Sequence, residues 1–139
     1  MSNTVRVTLL VAVSLSLVGC ASTLPTGRLS YATEISNPET PSIRVFMLAQ
    51  DLPGCEAAIS QARADFVRQK TPQRVEFGKC RMAVLEAGSD YWAVSLGRTM
   101  PGNPVILGSS VQRFCETTAQ QQVGVFAKCS PTGLRFLQQ

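Results

Sequence analysis

Five cysteines are the residues of this 139-residue chain best suited to chemistry: Cys20, Cys55, Cys80, Cys115 and Cys129. Thiols form disulfides, bind metals or act as nucleophiles, and spacing helps to tell these uses apart. No Cys-x-x-Cys occurs, so neither a thioredoxin-like redox pair nor a zinc knuckle is indicated. The chain also lacks His, which removes the commonest general base, proton shuttle and metal ligand. A zinc site would need thiolates alone at long intervals, so no metal and no cofactor is expected. Triads that rely on His are excluded, and no Ser-x-x-Lys spacing offers a Ser–Lys dyad. The acids are scattered: Asp51, Asp65, Glu76, Glu86 and Asp90 fall mostly at expected caps, turns or exposed faces. That is poor material for a carboxylate pair. Gly-rich phosphate cradles are missing. The reading is a non-enzyme.

Charge offers one further cluster. Arg63, Arg68, Lys70, Arg74, Lys79 and Arg81 crowd a short stretch, offset by Asp65 and Glu76. They could form a partner-binding face for an acidic protein, anionic lipid or polysaccharide. The plainer reading is a solvated helix end, with Arg68 and Lys70 complementing the helix dipole. A net charge of +4 is mild, and no nucleic-acid partner is expected.

The first twenty residues give Cys20 a separate role. Arg6 precedes an apolar run from Val7 to Val18. As a helix that run spans ~18 Å, short of a ~30 Å hydrocarbon core, so it reads as a signal-peptide segment and not a membrane span. Leu17-Val18-Gly19-Cys20 then resembles the lipobox of bacterial lipoproteins. The resemblance implies a signal peptide over 1–19, cleavage before Cys20, a diacylglycerol on its sulfur and an acyl chain on the new N-terminus. Three acyl chains anchor stably, since each buried methylene contributes ~0.8 kcal/mol. Ala21 in place of Asp implies sorting to the outer membrane, facing the periplasm.

Four cysteines remain, and an even count in an oxidising compartment reads as two disulfides. The pairing Cys55–Cys80 with Cys115–Cys129 is favoured, because each bridge would join a helix to the strand after it.

The elements that would position these residues follow from periodicity. Residues 20–41, rich in Ser, Thr and Pro, read as a flexible tether reaching up to ~65 Å. A single periplasmic domain then fills 42–139. Ser42 to Ala49 is a strand apolar on both faces. Asp51 caps a helix to about Gln69, with Cys55, Ile59, Ala62 and Phe66 on one stripe. Val75–Leu85 and Tyr91–Leu96 are strands joined by a hairpin at 86–90. The segment 96–107, punctuated by Pro101, Gly102 and Pro104, is a loop that could serve as a peptide-binding lip. Ser109-x-x-Gln112 resembles a capping box for a second helix, ending at Gln120-Gln121-Gln122. Val123–Cys129 is a strand, Ser130–Gly133 a turn, and Leu134–Leu137 a closing strand. The order β-α-β-β-α-β-β implies an α+β fold with a small, mostly antiparallel sheet and two helices on one face.

Lipid anchor, tether and disulfide-braced domain are similar in layout to secretion-system pilotins, envelope-stress sensors and assembly accessories. The expected function is therefore non-catalytic binding of an envelope protein. The alternative is an inhibitor or immunity lipoprotein acting on a hydrolase or toxin.

Overall fold

The computed structural model describes residues 24–68, 74–100 and 103–138. Residues 1–23, with Cys20, and Lys70 lie outside the described residues. The fold is α+β. Its elements are β1 (Leu29–Ser36), β2 (Val45–Ala49), α1 (Leu52–Arg68), β3 (Glu76–Phe77), β4 (Arg81–Met100), β5 (Asn103–Ser109), α2 (Gln112–Gln122) and β6 (Ser130–Phe136).

All six strands join one antiparallel sheet of order β3-β1-β2-β5-β4-β6. The long strand β4 also pairs with β1, Leu29 opposite Val84 and Ala32 opposite Arg81. That contact closes β1, β2, β5 and β4 into a ring. Closure removes two edges, which would otherwise present unpaired backbone groups.

The ring encloses an inner core and the helices cover part of its outer face, and the sequence supplies apolar residues for both. On β2, Met47 belongs to the outer core under the helices, while Phe46 and Leu48 belong to the inner core. β5 follows suit with Val105 and Leu107 outward to the helices and Ile106 inward. Tyr91 and Ala93 of β4 join the inner core, and Val94 the outer. The inner space is small, so Ala32, Ala83 and Ala93 alternate with Phe46, Leu48, Leu85, Tyr91 and Ile106. Phe46 meets the Tyr91 ring edge-on, centroids 5.1 Å apart. Small residues facing large ones are what a narrow barrel needs to fill without voids.

Both helices pack on the outer face, as expected. The Asp51 carboxylate accepts the Gly54 N–H at 2.7 Å and starts α1. Cys55 and Ile59 on its stripe are buried. Two disulfides tie each helix to the residue just before a strand: Cys55–Cys80 ahead of β4 and Cys115–Cys129 ahead of β6, with Cα–Cα separations of 6.2 and 6.3 Å.

Several expectations are corrected. Residues 29–36, placed in the 20–41 tether, form β1, and Leu24 already packs on the inner core. The buried positions of β1 hold Ser30, Ala32 and Thr33, too small or polar to raise a hydrophobic alternation. Thr33 Oγ1 donates to Gly78 O at 2.7 Å, which offsets the cost of its burial. The expected hairpin at 86–90 is an irregularity within continuous β4, because β6 pairs alongside both halves. A Cβ on Gly88 would crowd the Gly133 backbone at 3.1 Å, so the two strands approach closely there. The turn between antiparallel strands comes instead after Met100, which pairs with Asn103. β6 begins at Ser130, where a turn was expected, and 123–129 is not a strand. Pro131 is tolerated because β6 is an edge strand, so no second neighbour needs its missing N–H. The capping box does not form: Val111 is the cap, Ser109 Oγ accepts the Val111 N–H, and Gln112 bonds Glu116.

Candidate functional site

α1 and α2 sit on the same sheet face without closing over it. Between them runs a groove of about 560 Å³, within the ~300–1,000 Å³ range typical of ligand clefts. Its floor is the outer face of β2 and β5: Val45, Met47, Val105 and Leu107. Ala58, Ala62 and Phe66 form the α1 wall; Phe114, Thr118 and Gln122 form the α2 wall. Ile35, Ile43 and Leu96 close the sides, and Gln61, Thr117 and Gln121 add polar groups.

The groove stays open because of how α2 is rotated. By helical spacing Val111, Phe114, Cys115 and Thr118 share one face. Cys115 and Ala119 are fully buried, drawn down by the bridge to Cys129. That turns Phe114 aside, 40% exposed, along the groove. Helical spacing alone does not reveal this wall. The signal for it was Ala119, four residues after Cys115 and small enough to set the helix close to the sheet.

Electrostatically the groove is quiet. Among its described lining residues Asp65 alone is charged, and Gln61 Nε2 donates to it at 3.1 Å. An apolar floor with amide and hydroxyl groups at the rim suits an uncharged, apolar chain segment with free backbone groups.

Two members of the basic cluster stack on aromatic rings. Arg63 lies over the Phe77 ring at 5.5 Å, on the helix-covered side. Arg81 lies over Phe136 at 3.9 Å, and Phe136 packs on the inner core. Arg68, Arg74 and Lys79 are exposed between them. None of these five lines the groove. The stacked guanidiniums cover apolar rings, a structural use of cations.

The proposed lip at 96–107 is corrected as well. Val105, Ile106 and Leu107 are buried strand residues of β5 and serve the two cores.

Among the described residues, the Tyr91 hydroxyl departs clearly from its ordinary value. Burial raises the Tyr91 hydroxyl above the usual 10.0, partly offset by Arg44, whose guanidinium lies 5.4 Å from the ring centroid. Tyr91 belongs to the inner core and is no part of the groove. Among the described residues, no group of three or more His, Cys, Asp or Glu is placed to hold a metal ion. Comparison with protein-family models, with curated proteins and with solved structures gave no match.

Proposed function

We propose that the protein is a lipid-anchored envelope lipoprotein that binds an apolar segment of another envelope protein in the groove between α1 and α2, without catalysis. The observation that carries this reading is the groove: apolar floor, neutral polar rim and walls held apart by two disulfide-pinned helices. The anchor rests on the lipobox resemblance at Cys20 and on outer-membrane sorting by Ala21.

The docking of Leu24 on the inner core sharpens the picture. Cys20 lies four positions upstream, a span of ~13 Å at most. A lipidated Cys20 would hold the domain against the headgroups, far closer than a 20–41 tether would allow. The partner would then be a protein met at the membrane surface, as in secretion or pilus assembly.

Two groove variants test this. Thr118→Trp fills the groove, and Phe114→Asp puts a charge on a wall residue that is already part-exposed. Both should keep the native fold by circular dichroism and lose the protein that copurifies with the membrane-extracted chain. Retention of the same partner by both variants would remove the groove from the account. Copurification of a hydrolase or toxin would make the protein an inhibitor.

A further inference from the structure

The segment after α2 carries a feature that the groove does not use. Val123, Val125 and Phe126 are 53%, 75% and 92% exposed. They are not a loose end. The Val123 N–H donates to Ala119 O at 2.8 Å, and the Ala127 N–H to Gly124 O at 2.9 Å. The second bond closes a turn with Val125 and Phe126 at its two central positions. Cys115–Cys129 pins the base, and Ala127 packs on the outer core. The result is an apolar tip on a constrained support, which loses little conformational freedom on insertion.

Charge and chemistry indicate what the tip meets. From Thr117 to the end the chain has no acidic residue, while Lys128 stands two positions from Phe126 and is exposed. The cation favours an anionic surface. Between Val123 and Ala127 no side chain can form a hydrogen bond. A protein socket would usually be read with at least one directional contact; a bilayer interface asks for none. We propose that Val125 and Phe126 insert into the headgroup boundary of a bilayer containing anionic phospholipid, with Lys128 at the phosphate level. This contact is independent of the groove and does not require lipid on Cys20.

Phe126→Trp places a fluorescent reporter at the tip, with Trp92, the one natural Trp, as the wild-type baseline. The full chain as purified from cells is added to preformed vesicles of phosphatidylethanolamine and phosphatidylglycerol with brominated acyl chains. The expected result is a blue shift of the reporter emission and its quenching by the brominated lipid. Both should be lost when Val125→Asp is added to the same chain, and both should weaken with Lys128→Glu. Reporter emission that stays open to aqueous iodide and indifferent to brominated lipid would overturn the proposal. So would protection of the reporter that depends on a copurifying protein instead of the vesicle. Because the vesicles are added afterwards, the readout holds whether or not Cys20 is acylated.

Discussion

Gly108 faces Phe46 across β2 and β5, and a methyl group there would overlap the Phe46 ring. Phe46 is 1% exposed and edge-packed on Tyr91, so it has nowhere to retreat. Replacing Gly by Ala in a strand ordinarily gains a little from chain entropy. Here overpacking should win, and Gly108→Ala should lose about 1–3 kcal/mol in denaturant titration. The neighbouring Tyr91 makes a pH prediction. Its folded value lies above 10.0 because burial disfavours the phenolate. The stability this contributes is complete below that pH and is lost as pH rises beyond it, when the unfolded chain ionises first. Ultraviolet titration should show tyrosinate appearing at higher pH in the folded chain than in guanidine. Coincident curves would contradict the buried site. At this scale the sequence was partly legible. Asp51 announced its cap, because a side-chain acceptor before a helical stripe has one obvious use. Ser109 misled, because its hydroxyl serves the backbone of Val111 at the end of a buried strand.

The elements that could be read were those with a strong period or a covalent tie. α1 showed its stripe, and within the strand read at Tyr91–Leu96 the fold turns Trp92, Val94 and Leu96 to the outer core and Tyr91 and Ala93 to the inner. The favoured cysteine pairing is the one the fold makes. Each bridge closes a loop, of 25 and 14 residues in separation, and should contribute about 2–4 kcal/mol through the unfolded chain. Replacing Cys55 and Cys80 together by Ser should therefore lower the unfolding free energy by about that amount. An unchanged midpoint would mean that the bridge adds nothing to the sheet and helix packing. β1 escaped notice because its buried positions hold polar Ser30 and Thr33 and the small Ala32, which raise no hydrophobic alternation. The closing strand was shifted because Val123, Val125, Ala127 and Cys129 are in phase by chance. Their alternation is broken by Gly124 and by the equally apolar Phe126, and the ladder with β4 starts at Ser130.

At the scale of the whole molecule, a small ring of strands carries two helices on one face, and the space between the helices is the groove. The ring could not be foreseen from the order of elements, since it depends on one long strand meeting β1 at one end and β5 at the other. The groove was equally hidden, because its walls are assigned by the rotation of α2 and not by any motif. The proposed anchor, by contrast, rests on the sequence alone. Cys20→Ala should leave an unprocessed or soluble chain on membrane fractionation; normal partition into the membrane would contradict the lipid anchor. The most direct measurement of the central claim is photocrosslinking in the native cell. A photoreactive residue replaces Thr118 in the groove, and a control replaces exposed Glu56 on α1, which does not line it. The account predicts a single envelope-protein adduct from position 118, absent from position 56 and abolished by Phe114→Asp. Equal labelling from both positions, or no adduct from the groove, would contradict it.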